Sequence, residues 1–166
     1  MAFSVTNFKS DALQGGGYRP TLFEVQLTYG GTNFRYLCQS TSVPAMTMGV
    51  IEVPYFGRKI KMAGDRTYAE WTTTVMVEEG FGARDWIEQW SMDINQGDTN
   101  VRSLVGEDYK QDIQILLYNK QGGVIREYDL IGCWPTDVGT IELDWNNTDQ
   151  MATYQVTWAF DYMNKP

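Results

Sequence analysis

The chain has 166 residues, enough for one domain that buries about 68–70% of the surface its unfolded form exposes without help from a disulfide or metal. Apolar residues make up 43% and aromatics 14%, which is a globular composition and excludes a disordered chain. Asp+Glu number 21 against Lys+Arg 13, a formal net charge of −8, which argues against tight sequence-independent binding to DNA and suits a surface that phosphates slide past.

Residues 1–18 are polar and close on Gly15–Gly17. They lack the long apolar run and basic front of a signal peptide, and they read as a flexible N-terminal arm ahead of one domain over residues 19–166. No window approaches the ~20 apolar residues of a membrane span, so a cytosol-like compartment is expected. Asn146-Asn147-Thr148 fits a glycosylation sequon, which matters only in a secretory pathway that nothing else here supports. Cys38 and Cys133 each sit in an apolar strand-like run and read as reduced core cysteines; without a CxxC, a zinc site of the usual spacing is not expected.

From Thr21 onward the pattern is β. In TLFEVQLTY, Phe23, Val25, Leu27 and Tyr29 alternate with Glu24, Gln26 and Thr28, GGTN turns the chain, and FRYLCQ returns it as a hairpin with Phe34, Tyr36 and Cys38 on one face. Val53–Tyr68 reads as a β-ribbon bent near Phe56-Gly57. EWTTTVMVEE is a strand with Trp71, Thr73, Val75 and Val77 on one face. The period then changes: Trp86, Ile87, Trp90 and Ile94 form the apolar stripe of a helix that Asn95-Gln96-Gly97 stops, and the Trp pair reads as packing that helix onto a sheet. After a loop over 96–107, DIQILLYN, the turn KQGG and VIREYDLIGCW make a second hairpin. PTDVG reads as a turn, TIELDW as a short strand with Ile141, Leu143 and Trp145 on one face, and MATYQVTWAFDYM as one long final strand. The expected fold class is mainly β: an antiparallel barrel or sandwich of about seven or eight strands, with one packed α-helix and a protruding β-ribbon.

Chemistry is scarce. Histidine is absent, which removes Ser-His and Cys-His nucleophile pairs and the commonest metal ligand together. ALQGGGYRP lacks the Lys-Ser/Thr ending of a phosphate loop. Glu78-Glu79, Glu107-Asp108 and Glu142/Asp144 are paired carboxylates and candidates for acid–base work, the last pair also for a hard cation, and as solvated acids they need no function. No catalytic, cofactor-binding or metal residue is therefore expected, and no cofactor.

The ribbon stands out. A two-stranded ribbon alone is marginal in water, so Val53, Tyr55, Phe56, Ile60 and Met62 need a surface, while Arg58, Lys59, Lys61 and Arg66 need acids. The rest of this acidic chain offers acids and sheet edges, so the ribbon is expected to dock head to tail on another copy, a contact that makes rings or filaments. Asp65 and Arg66 are adjacent and point to opposite faces, so each requires its own partner, within a local turn or across a subunit boundary.

The runs YRPTLFEVQLTYGGTNFRYLCQSTSVPA, FGRKIKMAGDRTYAEWTTTVM, GCWPTDVGTIELDW and ATYQVTWAFDY, in this order, closely resemble the tail tube proteins of contractile-tailed bacteriophages (myoviruses), over about Tyr18 to Tyr162. The stretch from Gly80 to Asp108 matches more loosely. That family is similar in turn to the inner tubes of type VI secretion systems. The resemblance implies a structural, non-enzymatic virion protein: hexameric rings stacked into the inner tube of a contractile tail, assembled in the host bacterial cytoplasm. Implied partners are further copies of itself, the tail sheath protein, baseplate and tail terminator proteins, a tape measure protein in the lumen, and phage DNA in transit without specific binding. The subunit and ring interface is mapped onto Val53, Tyr55, Phe56, Arg58, Lys59, Ile60, Met62, Asp65 and Arg66. Two rivals stand beside this reading. One is the inner tube of a secretion or extracellular injection machine. The other is a small β-barrel carbohydrate binder or hydrolase, with Trp as sugar platform.

Overall fold

The computed structural model describes residues 5–11, 16–27, 35, 37–102 and 106–166. Nine strands and two helices follow in chain order: α1 (Val5–Asp11), β1 (Phe23–Leu27), β2 (Cys38–Thr41), β3 (Met46–Tyr55), β4 (Arg58–Tyr68), β5 (Trp71–Met76), α2 (Gly82–Ile94), β6 (Gln111–Tyr118), β7 (Val124–Val138), β8 (Thr153–Ala159) and β9 (Tyr162–Asn164). Seven of these strands form one antiparallel sheet with the order β1-β6-β7-β8-β5-β2, and β9 pairs off that path with β7. β3 and β4 form a separate two-stranded sheet. The mainly β, antiparallel class with one packed helix and a ribbon is the expected one; β1 and β2 do not pair to close a barrel among the described residues.

β7 organises the body. Its first half pairs with β6 and β9, while Trp134 to Val138 pair with β8. The change of partners falls at Gly132, where φ is +70° and a Cβ would collide with the Asp161 carboxylate. A glycine in a strand at such a corner lets the sheet fold over on itself. Gly132 N–H donates to Asp112 Oδ1 at 3.0 Å, and Lys110 Nζ donates to Asp161 Oδ2 at 2.8 Å, so the corner is closed by polar contacts.

The inner face is filled by the alternating residues of each strand. Val25, Ile113, Ile115, Leu130, Trp71, Val75, Tyr154, Val156 and Trp158 are buried, and α2 adds Ala83, Ile87 and Trp90. Trp158 lies 6.1 Å from Trp71 and 5.7 Å from Trp90, ring centre to ring centre, so the helix packs on the sheet through indoles tilted against one another. Trp158 Nε1 donates to Thr73 Oγ1 at 2.9 Å, and Trp90 Nε1 to the Tyr109 carbonyl at 2.8 Å. α2 begins after Phe81, in the left-handed region at φ 54°, and its Ala83 N–H donates to Glu78 Oε1 at 3.0 Å. Glu78 thus serves a helix end, where a carboxylate is favoured. Both cysteines are free, and burial pushes the Cys38 and Cys133 thiols up to about 12.

Tyr154 is buried, and its hydroxyl has no hydrogen-bond partner among the described residues, while the Arg84 guanidinium sits 4.8 Å above its ring. Burial first, opposed by Arg84, pushes the phenol up to about 12. Tyr154→Phe keeps the ring contact and removes an unsatisfied buried hydroxyl, so the urea midpoint should rise by the equivalent of about 1 kcal/mol with an unchanged slope.

Four sequence expectations need correction. Pro135–Val138 is the end of β7, not a turn; the proline is tolerated because the β7–β8 register shifts beside it. Ile141 to Trp145 is not a strand: no sheet edge pairs with it among the described residues, and it runs into a turn closed by Asn147 N–H on the Asp144 carbonyl at 3.2 Å. The final strand ends at Ala159; the chain bends at Asp161, whose N–H donates to the Ile131 carbonyl at 3.0 Å, and β9 then pairs with the other half of β7. The first hairpin is not formed as expected, since β1 pairs with β6 and β2 with β5, at opposite ends of the sheet. Its turn, with Phe34 and Tyr36, lies outside the described residues. Within the arm, Val5–Asp11 forms a short, wholly exposed helix.

Candidate subunit interface

The ribbon begins at Met46, earlier than the sequence suggests, and its two strands are ten and 11 residues long. At about 3.3 Å per residue it reaches roughly 33 Å from its root. Three contacts fix that root. Ala69 N–H donates to the Ala45 carbonyl at 3.0 Å, Trp71 Nε1 to the Ser42 carbonyl at 2.7 Å, and the Tyr68 ring lies 5.5 Å from Phe160. Beyond the root the strands pair only with each other, and every residue of β3 is exposed.

The register sorts the side chains. Ile51 faces Met62, Val53 faces Ile60 and Tyr55 faces Arg58 across the strands, while Val50–Ala63, Glu52–Lys61 and Pro54–Lys59 occupy the other face. One face near the tip is therefore apolar with a single cation. On the opposite face Lys59 Nζ bonds Glu52 Oε2 at 2.6 Å. Of the nine residues expected at the interface, Val53, Tyr55, Arg58, Ile60 and Met62 share the apolar face. Lys59 lies on the other face, Phe56 is at the tip, and Asp65 and Arg66 lie past a bulge near the root. Among the described residues no carboxylate pairs with Arg58, Lys61 or Arg66, and no cation with Asp65.

The tip is a two-residue turn with φ 43° at Phe56 and 75° at Gly57, the left-handed pair that matches strand twist. Glycine accepts this conformation freely, but a bulky residue is strained there. Phe56 is also 91% exposed, so its side chain gains nothing from its own subunit beyond an edge contact with Tyr55 at 4.7 Å. Phe56→Asn should raise, or leave unchanged, the melting temperature of the isolated subunit, since asparagine tolerates this backbone better, while weakening self-association.

The sequence reading missed Met46, Met48, Val50 and Ile51, all about half exposed or more. The alternation in AMTMGV was the available signal. Leu143 and Trp145, expected on one face of a short strand, are 86% and 101% exposed. Among the described residues the paired carboxylates form no metal-sized group of ligands: Glu107 pairs with Lys110 at 3.2 Å, and Asp144 Oδ1 accepts from Asn146.

The ribbon thus carries a strained, exposed aromatic tip on strands that, among the described residues, pair with each other alone, and comparison with known proteins shows to which family such a chain belongs. A family model described as phage tail tube protein matches residues 6–165. The chain belongs to the phage tail tube protein family. The tail tube protein of Enterobacteria phage T4 is 37% identical over 154 residues, covering 91% of this chain and 94% of the relative. Among solved structures, the anti-feeding prophage tube-terminating cap is similar with a TM-score of 0.70 at 22% identity, over 90% of this chain and 91% of that one. A chain of an extracellular contractile injection system sheath-tube complex covers 99% of both chains with a TM-score of 0.68 at 18% identity, a likeness of fold. As a tail tube protein the chain is a component of the virion. No helix among the described residues is long and apolar enough to cross a membrane.

Proposed function

We propose that this subunit assembles with copies of itself, through its ribbon, into stacked hexameric rings that form the inner tube of a contractile phage tail. One observation carries the reading: Val53, Tyr55, Phe56, Arg58, Ile60 and Met62 are exposed on an element with no partner beyond its root among the described residues. A lone ribbon of this length is marginal in water, and sister copies supply both sheet edges and an excess of acids. Lys59, Asp65 and Arg66 flank that contact and set its charge register. Residues 1–18 act as an arm ahead of the domain at 19–166, and the exposed Val5 and Phe8 of α1 give the arm an apolar side to lay on a neighbour.

The role is structural, not enzymatic. The net charge of −8 lets phage DNA pass a lumen without adhering. Sheath, baseplate, terminator and tape measure proteins are the further partners, and assembly takes place in the host cytoplasm. A phage tail is preferred over a secretion or injection machine because the phage relative is 37% identical.

Negative-stain micrographs and sedimentation of the concentrated protein test this directly. Rings or tubes about as wide as a phage tail are expected. A single monomeric species at every concentration overturns it.

A further inference from the structure

Resting on that self-assembly reading, we propose a receiving site for the ribbon: the groove around Trp145 on one copy seats the apolar face of a sister copy's ribbon tip.

The groove lies after β7. Glu142, Leu143, Asp144, Trp145 and Met151 line an open hollow of about 400 Å³. Leu143, Trp145 and Met151 are 86%, 101% and 64% exposed, so the chain covers none of them. The turn that displays Trp145 is nonetheless well formed. Asp144 Oδ1 accepts from Asn146 N–H at 3.0 Å and from Asn146 Nδ2 at 3.1 Å. A fully exposed indole on a hydrogen-bonded turn offers a large apolar area, the kind of residue that dominates protein interfaces.

Charge selects the occupant. The hollow pairs its apolar floor with two carboxylates, Glu142 and Asp144, that no cation engages among the described residues. The ribbon's apolar face pairs Ile51, Val53, Tyr55, Ile60 and Met62 with Arg58, which no carboxylate engages. Arg58 over the Trp145 ring, beside Asp144, satisfies the cation, the indole and the acid together. The opposite ribbon face pairs Lys59 with Glu52 and also carries Lys61, but it lacks a comparable run of apolar side chains to cover the indole. Donor and acceptor patches differ, so the contact is head to tail and repeats from copy to copy.

Mixing Val53→Cys subunits with Leu143→Cys subunits under assembly conditions and adding a short bismaleimide tests the seat. Both variants are made in a Cys38→Ser background, because Cys38 is only half-buried whereas Cys133 is buried. A cross-linked dimer is expected only in the mixture, because neither variant alone places both new thiols in one contact. Trp145→Ser should raise the concentration needed for assembly by about tenfold or more. Wild-type assembly with no cross-link overturns the seat and leaves the self-assembly reading standing. A wild-type chain that never assembles overturns both. Binding of a free oligosaccharide that is lost in Trp145→Ser would assign the groove to a glycan and overturn the proposal.

Discussion

Tyr55→Asp combined with Phe56→Asp will leave a folded, soluble subunit that no longer assembles. Tyr55 is 62% and Phe56 91% exposed, and among the described residues their one ring contact is with each other, so neither holds the subunit together. Exposed substitutions of this kind change stability by about ±0.5 kcal/mol, and replacing the strained Phe56 does not add to that cost. In the proposed assembly the same two positions are the anchors. Each aspartate would bring an unpaired charge into a desolvated contact, beside a neighbour that is itself acidic. Loss of two aromatic anchors costs about 2 kcal/mol or more each, so the concentration for assembly should rise about a thousandfold. Sedimentation velocity reads the assembly, and a circular dichroism melt identical to wild type shows that the fold is intact. Tubes at the wild-type concentration would remove the ribbon tip from the interface.

Trp158→Ala will cost about 3–5 kcal/mol of stability, the largest loss expected of any single side chain in the body. Trp158 is fully buried on β8 and touches Trp71 of β5 on one side and Trp90 of α2 on the other. Its removal opens a cavity where sheet and helix meet, and it leaves Thr73 Oγ1, otherwise the acceptor of the indole N–H, buried without its donor. A domain of this size has a total stability of about 5–15 kcal/mol, so the variant stands near its unfolding threshold. Urea unfolding measures the loss. Trp158→Phe, which keeps most of the volume, should lose less than half as much, and an equal loss in both variants would place the energy in the Thr73 hydrogen bond instead of the packing.

These two variants separate what the molecule needs for itself from what it offers to others. The indoles at 71, 90 and 158 face inward and are satisfied. The aromatics at 55, 56 and 145 face outward and are not. Nothing in composition distinguishes the two sets, because an aromatic on an alternating strand looks the same in sequence whichever side is covered.

Local signals survived into the fold wherever the deciding interactions are local. The ribbon bend needs only a left-handed pair at Phe56-Gly57, the β6–β7 hairpin only the Asn119–Gly123 turn, and α2 only its apolar stripe. The ribbon residues were legible as interface candidates because a two-stranded element with apolar side chains and cations has no means of satisfying them alone. Elements that depend on a distant partner were not legible. Ile141, Leu143 and Trp145 alternate as a strand should, yet no edge lies beside them. Pro135 reads as a breaker until β8 supplies a register shift that accommodates it. The break at Phe160-Asp161 exists because β9 crosses to the far half of β7, a pairing between residues some thirty positions apart.

The sequence by itself therefore determined the β class, the single core helix, the ribbon with its bend, and the absence of histidine-based chemistry, since each follows from periodicity, turn residues or composition within a short window. Only the tertiary structure decided the strand order, the fold of the sheet at Gly132, the sorting of the ribbon into an apolar face and a paired face, and the exposure of Trp145. Those depend on which edges meet across the chain, and pairing between distant segments is fixed by the summed packing of the whole core, which no local pattern encodes.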